Sequence, residues 1–285
     1  MRIGKSARLR TISQLFFSLF CNAMNTSTFS LDNAELRAAL KNLLFKMADD
    51  CLILGHRNSE WVGIGPVLEE DIAFASIAQD KLGHALGLYS ILHEHLGEPD
   101  PDTLAFMRSE KNFLCCQLVE LPTQEYDLAL ARHFFFDFAD KLRFEALATS
   151  AFEPLAQFAR KVKGEIAYHT MHAGAFVRQL GRGATEEAKL RMQSAIHELF
   201  PLALGIFEPF PEESLLVEAG IFEGEKALEE KWRETIAPVL DAAGLVLNAD
   251  ATPVYGGRQG YHTEHLAPLL AEMSEVFAQD PSAEW

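Results

Sequence analysis

No segment of this 285-residue sequence approaches the apolar run that crosses a bilayer as a helix. None alternates with the two-residue period of a half-buried strand, so neither helical membrane spans nor a sheet organises the chain. Also missing are a glycine-rich phosphate loop, a Ser-His-Asp arrangement and a cysteine-nucleophile motif, so phosphoryl and acyl transfer find no machinery. Basic residues are scarce, 25 against 41 acidic ones, for a net charge of −16. Such a field repels nucleic-acid backbones and anionic lipid, and suits solubility or docking on a basic protein surface. Cysteine is sparse too. Cys21, Cys51, Cys115 and Cys116 show no metal-ligand spacing, and the adjacent pair rarely forms a bridge, which points to reduced thiols in a cytoplasmic protein.

What is present is helix. Apolar residues make up 48% of the chain and charged ones 23%, enough for a sizeable core. Residues 1–31 stand apart: they contain no acid, carry Arg2, Lys5, Arg8 and Arg10, and then run Leu15 to Phe20. In outline this is a short signal or transit segment. The simpler reading is an N-terminal extension upstream of a working start at Met24. Residues 32–285 then form a single helical domain. A first helix is expected from an N-cap at Asp32 to about His56, with Leu36, Leu40, Leu43, Met47, Asp50 and Leu54 on one stripe. A second runs from Pro66 through Ile77, Lys81 and His84 to Leu96, where Glu98-Pro-Asp-Pro-Asp102 stops it. After a connection over about 99–124, a third covers about Thr123–Thr149 and a fourth about Phe152–Leu180. Further helices are expected over Thr185–Phe207, Glu225–Ala243 and Thr263–Ala278. The fold class is therefore all-α: a four-helix bundle with additional C-terminal helices.

Two stretches, Ile77–Ala85 and Gly164–His172, read as facing halves of one buried site. Each puts a histidine, His84 or His169, on its helix's apolar face. Four-helix di-iron proteins place Glu-x-x-His there, because residues three apart share a face. Here the residues three before each histidine are Lys81 and Ile166, and neither is a carboxylate. Asp50 from the first helix and Asp137 from the third complete the set. Positions 50 and 81 are 31 residues apart and positions 137 and 166 are 29 apart, as two matching hairpins require. A cation beside a metal site is electrostatically wrong for metal and right for a buried ion pair with Asp50, Asp137 or both. Asp50, Lys81, His84, Asp137, Ile166 and His169 thus read as vestigial metal-site positions, with no catalytic residue and no metal assigned. Asp80, Glu165 and His172 form an alternative ligand set, since Asp80 and Glu165 each lie four before a histidine. His93, His95, His133 and His197 read as solvated or capping, and Phe134 to Phe138 as core.

Several segments together carry a resemblance: Leu54-Gly-His-Arg-Asn-Ser-Glu-Trp61, Leu68-Glu-Glu-Asp-Ile-Ala73, Asp80-Lys-Leu-Gly-His-Ala85, Tyr168-His169 with His172, Arg178-Gln-Leu-Gly181, and Gly257-Arg-Gln-Gly-Tyr-His-Thr-Glu264 leading into Leu270-Ala-Glu-Met273. The chain resembles the PaaC family, the structural ferritin-like subunits of bacterial phenylacetyl-CoA oxygenases (1,2-phenylacetyl-CoA epoxidases). The resemblance covers about residues 34–285. It implies a non-catalytic subunit in phenylacetate catabolism, without a cofactor of its own. Its partners would be a homologous catalytic di-iron subunit, other epoxidase subunits and a flavin and iron–sulfur reductase. The competing reading is a di-iron carboxylate oxygenase or oxidase in its own right; ferritin-like iron storage would also need the missing carboxylates.

Overall fold

The computed structural model describes residues 33–122, 125–183, 185–281 and 283. The extension expected over residues 1–31 and the N-cap expected at Asp32 lie outside the described residues. Helix α1 (Ala34–Ser59) is capped instead by Asn33, whose side chain accepts from the Glu35 and Leu36 amides. An eight-residue turn leads to α2 (Leu68–Leu96), two residues later than expected, because Val67 keeps an extended backbone. Gly97, at φ 73°, closes α2 and returns its N–H to the Leu92 carbonyl.

The crossover that follows carries two short helices, α3 (Pro101–Phe106) and α4 (Gln117–Glu120). It delivers the chain to α5 (Tyr126–Leu147), and a five-residue turn leads back into α6 (Glu153–Arg178). The α1–α2 and α5–α6 hairpins pack side by side as an all-α, ferritin-like four-helix bundle. Residues 179–183 continue α6 as a π-helical turn. Outside the bundle lie α7 (Glu186–Leu204), α8 (Glu213–Glu218), α9 (Glu225–Ala243) and α10 (Leu266–Ser274). The last is shorter than the expected Thr263–Ala278.

The added helices change what "inside" means for two bundle members. Helix α1 is buried almost all round from Leu43 to Gly55, with the bundle on one side and α4 and α8 on the other. Helix α5 is buried from Ala129 to Asp140, covered by α6, α7 and α9. On the α5 side the cover is aromatic: Trp232 stacks on Phe200 and donates its indole N–H to the Phe135 carbonyl at 3.0 Å. The stretch Phe134 to Phe138 is core, as expected from its composition. No described helix is long and apolar enough to cross a membrane.

Candidate functional site

Lys81 sits at the centre of the bundle, fully buried. Its Nζ lies 2.9 Å from Asp137 Oδ1 and 2.6 Å from Asp140 Oδ2, and 4.6 Å above the Phe136 ring. Burial alone would discharge the ammonium, but Asp137 and Asp140 outweigh it and hold its pKa above the usual lysine value. Asp137 responds in the other direction: burial would raise its pKa, and Lys81 followed by His133 keeps it well below the usual carboxylate range.

Asp140 is one helical turn beyond Asp137 and shares its face, so the partner missed in the sequence was available from spacing. His133, one turn before, is fully buried and holds Asp137 Oδ2 through Nδ1 at 3.0 Å. This corrects its reading as a surface residue; the added helices cover a face of α5 that a bare bundle would expose. His93, His95 and His197 are exposed.

Asp50 is a second correction. It does not reach Lys81. Its two oxygens take a fork from Arg258, at 2.8 and 2.7 Å, and it also accepts the Cys116 amide at 2.8 Å. Successive helical residues point about 100° apart, and the α1 side chain beside Lys81 is its neighbour Cys51. Burial first, then Asp140, raises the Cys51 thiol pKa, while Lys81 lowers it.

The two histidines face each other with ring centroids 6.2 Å apart. Their outward nitrogens make crossed bonds. His84 Nε2 meets Glu165 of α6 at 2.8 Å, and His169 Nε2 meets Asp80 of α2 at 3.0 Å. Both carboxylates reach solvent, so the pairs close the α2–α6 seam from outside. The alternative set splits here: Asp80 and Glu165 join this pair, while His172 Nε2 bonds Glu70 at 3.1 Å, beside Tyr126, whose hydroxyl donates to Glu70 at 2.6 Å. His84 and His169 both have pKa values below the ordinary histidine value. Burial, then Lys81, lowers the first, and burial lowers the second to about 4 against the pull of Asp137. Ile166 contributes only a buried apolar side chain.

A pair of iron ions does not suit this donor set. Bridging two irons needs carboxylates at the level of Lys81 and Ile166, where there are a cation and a hydrocarbon. Asp137 is already engaged by Lys81 and His133, and no imidazole–carboxylate group here is convergent enough for one ion. What the arrangement can do is hold α2, α5 and α6 in register, through the Lys81 ion pairs and the two histidine–carboxylate hydrogen bonds.

The Phenylacetic acid catabolic protein family matches residues 25–285. The chain belongs to that family. It is also 34% identical over 240 residues to the C subunit of the 1,2-phenylacetyl-CoA epoxidase of Escherichia coli strain K12, covering 84% of this chain and 96% of that protein.

Proposed function

We propose that this chain is the structural, non-catalytic subunit of a multicomponent 1,2-phenylacetyl-CoA epoxidase, supporting a homologous subunit that carries the di-iron centre. The observation that carries the reading is Lys81 between Asp137 and Asp140, where a catalytic member of such a fold needs a bridging carboxylate. A buried cation there replaces the metal as the counter-charge, so the bundle keeps its shape and forgoes oxygen chemistry. The kinship to the C subunit of the E. coli epoxidase supports the substrate class, an aromatic acyl-CoA, and a setting of several subunits. A cytoplasmic location and a reductase that delivers electrons complete the reading.

The surface supports partnership. Val62, Ile64, Val67, Leu68 and Ile72 are exposed around the start of α2. Tyr168 and Met171 are exposed on α6, at the same end of the bundle, since Glu70 bonds His172. An apolar cluster of this kind marks a docking face. The apolar stretch Leu199–Phe210 adds nothing to that face, being largely buried under the chain's own C-terminal segments.

The test is co-expression with a homologous family member that keeps the di-iron carboxylates, followed by gel filtration, iron analysis and turnover of phenylacetyl-CoA. One complex is expected, with iron on the partner alone and turnover dependent on the partner's ligands. Two separate peaks at micromolar concentration, or two irons per copy of this chain, overturn the reading.

A further inference from the structure

Outside the four bundle helices, the crossover and the C-terminal loop meet at three side chains that the epoxidase reading does not use. Cys115 and Glu120 come from the crossover and His262 from the loop after α9, and none of the three side chains is exposed. Cys115 Sγ is 3.7 Å from Glu120 Oε1 and 3.9 Å from His262 Nδ1, and those two atoms are 2.7 Å apart. In a tetrahedral zinc site, bonds of about 2.3 Å to sulfur and about 2.0–2.2 Å to nitrogen and oxygen put neighbouring ligand atoms roughly 3.3–3.6 Å apart. The two sulfur distances already lie within a few tenths of an ångström of that. The third needs the imidazole and the carboxylate to separate by about half an ångström.

The surroundings are those of a metal-bound triad. His262 Nε2 lies 3.0 Å from the Phe113 carbonyl, a contact that fixes a proton on Nε2 and leaves Nδ1 to the cluster. Glu120 Oε2 accepts both the amide and the hydroxyl of Thr263 at 2.7 Å, which aims Oε1 at the other two donors. Both ring nitrogens of His262 thus face groups that only accept. Without a metal, the 2.7 Å contact between His262 Nδ1 and Glu120 Oε1 needs a proton between the two atoms. We propose that Cys115, Glu120 and His262 form a zinc site that pins the crossover to the C-terminal loop, with a solvent molecule in the fourth position.

The exchange balances. The metal-free cluster holds that shared proton and a proton on the thiol, with no net charge. Binding Zn²⁺ expels the shared proton and the one on the thiol, leaving thiolate, carboxylate and neutral imidazole around the ion, again with no net charge. Burial therefore does not penalise the ion's charge, and a thiolate, an imidazole and a carboxylate are the donors zinc prefers. The thiol's raised pKa, from burial and then Glu120, describes the metal-free state; a coordinating thiol is deprotonated outright.

The test uses the full chain, reduced and stripped with a chelator, then titrated with Co²⁺ and with Zn²⁺. One Co²⁺ per chain is expected, with a thiolate charge-transfer band that Zn²⁺ abolishes and with two protons released per Zn²⁺ in weakly buffered solution. Cys115→Ser should remove the band, Thr263→Ala should weaken zinc binding by about 10-fold to 100-fold, and Cys51→Ala should leave both unchanged. A folded chain that takes up neither metal, or a band that survives Cys115→Ser, overturns the proposal and identifies the cluster as a clasp held by a proton.

Discussion

Lys81 is worth more to the fold through what it neutralises than through what it gains. Two carboxylates, Asp137 and Asp140, share its ammonium in a space without water contact. Replacing both sides of such a cluster by neutral groups of similar shape can be nearly free, whereas removing one side leaves charge stranded. Lys81→Met should therefore cost about 3–5 kcal/mol in a denaturant melt. Adding Asp137→Asn and Asp140→Asn should recover much of that. Asp50→Asn should not, because Asp50 answers to Arg258; its cost should simply add to that of Lys81→Met. Rescue by Asp50→Asn would mean that the two charge clusters are one.

At the scale of the element, the long helices were legible because their apolar residues recur every three or four positions, and Glu225–Ala243 was read with its observed bounds. The assignment of Asp50 failed for a reason internal to α1. A stripe identifies the inward face only when the other face is wet, and α1 is dry nearly all round. Lys46, Asp49 and Asp50 each turn to a different element: to Glu225 of α9, to Arg108 after α3, and to Arg258 in the C-terminal loop. No local spacing announces partners as far apart as Asp50 and Arg258 or Cys115 and His262. The loop that brings Arg258 in lies close against the crossover backbone. A Cβ on Gly257 would stand 2.3 Å from the Cys115 carbonyl oxygen and 3.1 Å from the Cys116 Cα, atoms that cannot swing aside. On α2, a Cβ on Gly83 would meet nothing within 4 Å. Gly257→Ala is therefore expected to destabilise by about 1–3 kcal/mol, and Gly83→Ala to stabilise by about 0.5–1 kcal/mol through helix propensity. Thermal melts of the two single variants check this; equal shifts would mean that the loop is not seated as described.

The bundle interior pairs three histidines whose charged form burial disfavours with acids held ionised by cations, and this sets the molecule's response to pH. His84, His133 and His169 all have pKa values below that of free histidine, with burial as the first cause. A group whose folded pKa is depressed stabilises the fold above its unfolded pKa and loses that contribution as pH falls. For these histidines the loss begins near 6.5 and for His169 continues to about 4. Asp137 and Glu225 are also depressed by their cationic partners, against burial, and their contribution fades only once pH drops below the ordinary carboxylate range. A chain of net charge −16 also loses surface repulsion on acidification, which acts the other way. That repulsion is spread over exposed groups and is screened beyond about 8 Å at physiological salt, whereas the histidines are shielded from salt, so the histidines should win. Stability at 0.15 M salt should fall between pH 6.5 and 4.5, with a slope of up to about 4 kcal/mol per pH unit if all three histidines titrate together. His84→Gln with His169→Gln should flatten that slope while leaving the further loss below pH 4 in place. Melting temperatures that stay level from pH 7 to 5 would show that these imidazoles take up protons in the folded chain as readily as in the unfolded one.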